Sequence, residues 1–173
     1  VLPRKRPELY QDEGECFANE VASFAVAYRS VERNVMLEDC GWTVESDIAE
    51  FIRVRPVENV AALSAETETS DDYVLTGDPA VIPDLLTENN YFNARYKCWG
   101  SLFVSVKGDL PAGRHNIKIA LRDCNENQLA VVNYALTVFA EKLKKFDLKY
   151  SNWFHYDGIA RYYNLTPYTD EYY

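Results

Sequence analysis

The amino-acid sequence predicts an all-β protein: a two-sheet antiparallel β-sandwich with a short strand or helix segment at its C-terminal end. Apolar and polar residues alternate with a period of two along several stretches, as they do in strands with one buried face. Turn-forming residues separate these stretches at the regular spacing of sandwich proteins. Aromatic residues, which favour strands, make up 14% of the 173 residues. A chain of this length is large enough to bury a core without disulfide or metal staples.

The N-terminal strands are predicted to follow a polar arm, residues 1–13. Glu15–Arg29 is consistent with one strand or a pair of strands, because apolar and polar residues alternate from Phe24 on, although its alanines leave a helix as an alternative. Asn34–Asp39 is predicted to be a turn. Val44–Pro56 alternates again, and we expect its proline to end the strand.

The middle of the chain is predicted to be mostly irregular. Asn59–Asp72 is acidic and rich in threonine, Tyr73–Leu75 is a short strand, and Asp84–Asn93 is a loop over one face. The adjacent carboxylates of Asp71 and Asp72 lack the spaced ligand run of a calcium loop. We therefore expect no metal and no cofactor.

The C-terminal strands of the sandwich give the clearest alternation. Lys97–Lys107 and Arg114–Arg122 are predicted strands, joined by a turn over Gly108–Gly113. Asp123–Asn127 is predicted to be a hairpin loop that leads into a last strand, Leu129–Phe139.

Charge and composition exclude some classes of function. The net charge of −9 argues against nucleic acid, which requires a basic face. No run of about 20 apolar residues is present, so no segment is expected to span a membrane. Neither a glycine-rich phosphate loop nor a Gly-x-Ser-x-Gly elbow occurs in the sequence.

The four cysteines, Cys16, Cys40, Cys98 and Cys124, are far apart and form no C-x-x-C pair. They form one or two disulfides, or they remain four buried thiols. We favour the thiols, because free cysteine is often buried.

The segment Leu148–Tyr163 concentrates aromatic and ionisable side chains within a few residues. In one interpretation it is a strand end and turn that closes the core. In the other it is a sugar-facing site, in which Trp153 stacks on a pyranose and His155 and Asp157 form hydrogen bonds. The residue types alone leave both alternatives open.

This segment resembles the junction between two domains in glycoside hydrolase family 123 and its uncharacterised relatives. The matching residues are Asn152-Trp153-Phe154-His155-x-Asp157, Tyr162-Tyr163 and Tyr168-Thr169-x-Glu171-Tyr172. Upstream, Gly14-Glu15 with Ser23–Tyr28 is similar to the first sandwich strand of that family, and Pro79–Leu86 to one of its loops. In the family, an N-terminal β-sandwich is followed by a catalytic (β/α)8 barrel.

The resemblance implies a domain organisation and a function. Residues 14–147 would form the sandwich, and residues 148–173 a junction, a strand or helix remnant, that leads to an absent barrel. The parent would remove terminal N-acetyl-β-galactosamine, with the substrate's own acetamido oxygen as nucleophile and an adjacent Asp-Glu pair in the barrel. Neither Asp12-Glu13 nor Asp170-Glu171 matches that pair, the latter resembling a helix start after Thr169. We therefore expect a non-catalytic domain that packs against and supports the barrel.

The resemblance also implies partners and a compartment. In the parent protein, Trp153, His155 and Asp157 are expected to bind substrate. The partner would be the protein's own barrel, and the protein would be secreted or periplasmic. We also expect self-association through the exposed junction segment. The alternative function is a free-standing carbohydrate-binding or protein-interaction β-sandwich, and a coplanar row of exposed aromatic rings would favour the carbohydrate-binding form.

Overall fold

The computed structural model describes residues 11–31, 36–62, 80–96, 98–144, 160–161, 163–166 and 169–171. The chain divides into two compact units, Val1–Leu143 and Lys144–Tyr173.

In the described part of the first unit, strands account for most of the chain. They are β1 (Glu13–Phe17), β2 (Ala22–Tyr28), β3 (Met36–Glu45), β4 (Ile52–Ala62), β5 (Ala80–Leu86), β6 (Phe92–Arg95), β7 (Gly100–Val106), β8 (Gly113–Arg122) and β9 (Gln128–Phe139). A short 3₁₀ helix, Ala49–Phe51, precedes β4.

The strands form two sheets, one in the order β1-β9-β8-β3-β6 and the other in the order β2-β7-β4-β5. This arrangement confirms the predicted all-β sandwich. All pairs of these strands are antiparallel except β1 with β9, which run parallel. The stretch Glu15–Arg29 thus forms a pair of strands, β1 and β2, that belong to different sheets.

The core lies between the two sheets and is filled by the inward residues of the central strands. In β7, every second residue is fully buried: Leu102, Val104 and Val106 are 0% exposed. Across the core they face the inward side chains of β8 and β9, chiefly Ile117, Ile119, Leu136 and Val138. Each fully buried aliphatic side chain stabilises the fold by about 1.5–3 kcal/mol relative to exposure. The rings of Phe24 and Tyr134 stack 3.9 Å apart and link β2 to β9.

The prediction of one strand over Val44–Pro56 is wrong. β3 ends at Glu45 and β4 begins at Ile52, with the 3₁₀ helix between them. Ile48 is 1% exposed although it lies in a turn. Because a buried apolar residue there fits the alternation on either side, the sequence looked like one continuous strand.

The expectation that Pro56 ends its strand is also wrong, because β4 continues to Ala62. The carbonyl of Pro56 accepts a hydrogen bond from the Thr87 N–H at 3.0 Å, so the backbone of Pro56 faces β5. Since β5 ends opposite Val57, the ladder needs no donor from Pro56.

Three segments predicted to be a loop or a turn contain strand residues. The predicted loop Asp84–Asn93 overlaps β5, and the family-like loop Pro79–Leu86 overlaps the same edge strand, Ala80–Leu86. Proline is tolerated there because an edge strand needs hydrogen bonds on one side only. The predicted turn Asn34–Asp39 overlaps β3, whose register shifts near Asp39, a residue with φ of 51°. The predicted strand Tyr73–Leu75 lies outside the described residues.

The last strands and their loops agree with the sequence. β7, β8 and β9 fall within or close to the predicted ranges. The hairpin loop is held by Asp123, whose carboxylate accepts the N–H groups of Asn125 at 2.9 Å and Asn127 at 2.8 Å. The Asn127 side-chain amide also donates to Asp123, at 2.9 Å. Together these hydrogen bonds lower the pKa of Asp123, and the side-chain bond from Asn127 has the largest effect.

The four cysteines are free thiols, but the expectation that all four are buried is wrong. Cys16 and Cys40 are buried, whereas Cys98 and Cys124 are exposed. Cys124 lies in the hairpin loop before β9, and Cys98 lies in the connection before β7. Burial raises the pKa of both the Cys16 and the Cys40 thiol, which keeps them protonated and unreactive.

In the second unit, Ala160, Arg161 and Tyr163 are helical. The helix ends at Asn164, which has φ of 55°; its N–H donates to the Arg161 carbonyl, and the Leu165 N–H donates to that of Ala160. This pair of bonds is a Schellman motif with asparagine in the left-handed position. The helix start expected after Thr169 is a bend and turn at Thr169–Glu171. Within the described ranges, no helix has the length and apolar character needed to cross a membrane.

Candidate functional site

The residues that the sequence suggested as a sugar site, Trp153, His155 and Asp157, lie outside the described residues. The calcium candidate, Asp71 with Asp72, lies outside them as well. In the described part of the chain, no three His, Cys, Asp or Glu side chains are grouped as metal ligands.

A cleft of about 1020 Å³ opens in the sandwich unit and is the candidate site. Its walls come from β6, at the edge of one sheet, and from β4, β5 and the β2 and β7 ends in the other sheet. Tyrosine, tryptophan, arginine and asparagine side chains provide most of the chemistry of the wall. The cleft is at the upper end of the size range of small-molecule sites.

One end of the cleft is held by backbone hydrogen bonds between the two sheets. Ser30, just after β2, forms an isolated parallel bridge with Tyr96, just after β6. The Arg95 carbonyl accepts the N–H of Ser30 at 3.2 Å and that of Cys98 at 3.3 Å. These bonds fix the position of the residues at the ends of β2 and β6 that line the cleft.

Tyr28 lines the cleft, and its ring packs on Phe92 with ring centroids 4.3 Å apart. Opposite Tyr28 in the β2–β7 ladder stands Gly100. A Cβ atom at that position would lie 2.6 Å from the Tyr28 ring, so only glycine allows the ring to lie across β7. Burial, with a smaller contribution from Cys40, raises the pKa of Tyr28 to about 12. The phenol therefore stays protonated and neutral at physiological pH.

Arg29 and Trp99, which both line the cleft, form a cation–π pair. The guanidinium carbon of Arg29 lies 4.9 Å from the centroid of the Trp99 ring. Such a pair is worth about 0.5–1 kcal/mol at an exposed position. The Trp99 indole N–H is buried and has no hydrogen-bond partner in the described part of the structure. Tyr91, directly before β6, is 42% exposed and adds a second aromatic surface.

Positive charge exceeds negative charge along the cleft wall. Among the described residues that line it, Arg29 and Arg95 carry positive charge, and Glu58 is the one carboxylate. In the described residues, neither arginine is paired with a carboxylate, although other arginines are, as in the ion pairs Arg53–Glu88 and Arg114–Glu13.

The polar side chains of the cleft are partly held in place by neighbours. Glu58 Oε1 accepts a hydrogen bond from the Asn89 amide at 3.0 Å. Asn93 Oδ1 accepts the Asp39 N–H at 3.0 Å, and this hydrogen bond orients the Asn93 amide group. The cleft therefore combines oriented hydrogen-bonding groups, two guanidinium groups and aromatic surfaces.

A second polar cluster is centred on His115, which is buried in β8 at 5% exposure. Its Nδ1 lies 2.7 Å from Asp47 Oδ2, and its Nε2 lies 2.8 Å from the Pro111 carbonyl. The Pro111 carbonyl and the Asp47 carboxylate are both acceptors, so each ring nitrogen of His115 faces a hydrogen-bonding partner. The hydrogen bond from His115 lowers the pKa of Asp47. This cluster ties two loops to β8, and none of its residues is among the described residues that line the cleft, so we assign it a structural role.

The sequence did not reveal the cleft. Its residues come from the ends of strands that are distant along the chain, where a period of two gives no information on which side chains meet. One signal was present in the sequence: Arg29 directly follows β2 and Trp99 directly precedes β7, at positions outside the alternation of buried and exposed residues. The sequence alone does not show that these two residues lie close together, because their contact depends on the sheet topology.

No family model and no curated protein matches the sequence. Among solved structures, a family 123 glycoside hydrolase from Clostridium perfringens, studied for glycolipid glycan hydrolysis, superposes with a TM-score of 0.66 at 13% identity. The match covers 95% of this chain and 30% of that enzyme, so the chain spans less than a third of its length. At this identity, the similarity shows a shared fold: this chain has the architecture of one part of a family 123 glycoside hydrolase.

Two further solved structures match less closely. The N-terminal domain of PorA gives a TM-score of 0.36 at 8% identity, over 75% of this chain and 90% of that one. A PapD-like domain of human CEP192 gives a TM-score of 0.36 at 9% identity, over 83% of this chain and 94% of that one.

Proposed function

We propose that this chain is the non-catalytic N-terminal β-sandwich domain of a family 123-like glycoside hydrolase. The observation that supports the proposal most strongly is the superposition of 95% of the chain on 30% of such an enzyme. The Trp153-Phe154-His155-x-Asp157 motif, which resembles the family's domain junction, supports it independently. The parent protein would act on N-acetyl-β-galactosaminides or related glycans, and the sandwich would pack against its catalytic barrel.

The composition of the cleft supports a non-catalytic role. Glycoside hydrolysis commonly needs two carboxyl groups, one on each side of the scissile bond. The described part of the cleft wall contributes one carboxylate, Glu58, and that group accepts a hydrogen bond from Asn89. In the proposed arrangement, catalysis belongs to the barrel, and Trp153, His155 and Asp157 act on substrate only beside it.

The alternative, a free-standing carbohydrate-binding module with a flat aromatic platform, receives less support. Phe17 and Phe139 are exposed and adjacent, with ring centroids 6.1 Å apart, but their planes are tilted by 50°. A platform that stacks on successive sugars needs coplanar rings.

The proposal is tested by the gene and by an assay. We expect the codons that follow Tyr173 to encode a (β/α)8 barrel with an adjacent Asp-Glu pair; a different downstream domain, or a stop codon, would contradict the proposal. The purified chain should release no chromogenic group from 4-nitrophenyl N-acetyl-β-galactosaminide. Release above background that disappears in Asp157→Asn would show that the chain itself is an enzyme.

A further inference from the structure

We infer that the cleft between β6 and the β2, β4 and β7 ends binds an acidic pyranose, a sugar ring that carries a carboxylate, within a short oligosaccharide. This inference does not depend on the proposed function, because it concerns binding by the sandwich alone. It holds whether or not a catalytic domain accompanies the chain.

The two guanidinium groups indicate that the ligand is an anion. Arg29 and Arg95 line the same cleft and are paired with no carboxylate within the described residues. The protein carries a net charge of −9, so a local excess of arginine contrasts with the rest of the molecule. The planar guanidinium group matches a carboxylate in a bidentate geometry, which gives orientation as well as attraction.

The aromatic groups indicate that the ligand contains a ring with apolar faces. Tyr91 presents an exposed ring, and Trp99 contributes indole surface beside Arg29. A pyranose offers C–H faces to such rings while its hydroxyl groups stay in the plane. A volume of about 1020 Å³ suits a short oligosaccharide better than a single sugar.

Glu58, Asn59 and Asn93 indicate that the ligand carries hydroxyl groups. The carboxylate of Glu58 only accepts hydrogen bonds, so it favours a ligand that brings donors. A sugar brings several hydroxyl donors together with its carboxylate. A simple dianion such as phosphate, or the carboxylate of an acidic side chain, offers Glu58 far fewer donors than a sugar does.

Isothermal titration calorimetry with matched sugars tests the inference. The probes are 3′-sialyllactose with lactose, and digalacturonate with the neutral galactose disaccharide of the same linkage. We expect at least one acidic sugar to bind about tenfold or more tightly than its neutral partner, a difference of about 1.4 kcal/mol. Added salt should weaken the acidic sugar selectively, because the arginines are exposed.

Variants assign the binding to the cleft. Arg29→Gln and Arg95→Gln should each weaken the acidic sugar several-fold, and by more than they weaken the neutral sugar. The control is Arg114→Gln, which makes the same charge change at an arginine paired with Glu13 outside the cleft. Tyr91→Ala should weaken both sugars, and Tyr91→Phe should retain the binding because it keeps the ring.

Several outcomes would overturn the inference. These are equal affinity for acidic and neutral sugars, no binding of either acidic sugar at millimolar concentration, or equal weakening by Arg114→Gln. Binding of a tri-aspartate peptide as tight as that of the acidic sugars would show recognition of carboxylates alone, and would also overturn it. Circular dichroism and thermal melting of each variant separate lost binding from lost folding, and Arg29→Lys provides a second variant that keeps the charge.

Discussion

His115 shows how a single residue combines packing with polar contacts in this fold. It is buried in β8, yet both ring nitrogens face acceptors from loops, Asp47 on one side and Pro111 on the other. A buried polar group is tolerated when it is hydrogen-bonded. The arrangement places the imidazole ring beside a carboxylate that is itself largely exposed to solvent.

The first prediction concerns acid stability. The His115 hydrogen bond holds the pKa of Asp47 below its ordinary value of 3.8. A lowered pKa in the folded state stabilises the fold above pH 3.8, and this contribution disappears as pH falls through the folded pKa. Asp47→Asn should therefore melt at a lower temperature than the wild type near neutral pH, and the difference should shrink in acid.

Thermal unfolding of Asp47→Asn and wild type, from neutral pH down into acid, measures this difference in melting temperature. The control is Glu50→Gln, which removes the same charge from an exposed position in the 3₁₀ helix. If the difference in melting temperature between Asp47→Asn and wild type does not change with pH, the charge of the Asp47 carboxylate does not contribute to the stability of the fold.

The second prediction concerns the glycine below Tyr28. Gly100→Ala would place a Cβ atom 2.6 Å from the Tyr28 ring, which is already packed on Phe92. Overpacking of this kind costs about 1–3 kcal/mol. Gly41→Ala in β3 is the matched control, since a Cβ atom there meets nothing within 4 Å. Urea unfolding should show a loss of stability for Gly100→Ala alone; equal stability of the two variants would contradict the packing argument.

Among the elements, the strands that were predicted correctly have one face against the core along most of their length. In β8, Ile117 and Ile119 are buried and Lys118 lies between them on the other face, so the period of two was visible in the sequence. Where a turn is buried, as at Ile48, a residue is apolar because it contacts the core, and its position need not fit a period of two. The strand boundary at Ile52 was hidden for that reason.

Edge strands and the cleft were harder to predict for a different physical reason. β5 combines exposed apolar residues with an internal proline, so neither alternation nor the absence of proline marks it as a strand. The cleft brings Arg29, Tyr91 and Trp99 together through sheet order. Sheet order depends on long-range pairing, which local sequence patterns do not encode.

The third prediction concerns the edge strand β5, where Val81, Ile82, Leu85 and Leu86 are exposed. An exposed apolar edge invites pairing with another chain, and a proline blunts it because the ring nitrogen offers no donor. Pro83→Val should therefore increase self-association, seen as a molar mass that rises with concentration in light scattering. Pro111→Val, in the loop before β8, is the control. An unchanged mass for Pro83→Val would show that Pro83 does not protect the edge.

For the whole molecule, the sandwich is closed by contacts that reach as far as Leu143. The Asn19 side chain bonds both backbone groups of Leu143, accepting its N–H at 2.8 Å and donating to its carbonyl at 3.0 Å. The Ala18 N–H donates to the Glu141 carbonyl at 3.1 Å, and Lys142 forms an ion pair with Asp109 at 2.6 Å. These contacts follow β9 directly and hold the chain on the sandwich after the last strand.

The last prediction separates the sandwich from the segment after it. A chain without Ser151–Tyr173 keeps every contact of Asn19 with Leu143, so it should retain its β-sheet circular dichroism and cooperative unfolding. A chain that ends at Phe139 loses those contacts and should melt at a lower temperature than the chain that ends at Tyr150.

Because the deleted segment contains Trp153, Phe154 and several tyrosines, we expect it to pack on the sandwich or to pair with another copy. Its removal should then change the mass in light scattering or the melting temperature, and identical values for the full and shortened chains would show that the segment does neither.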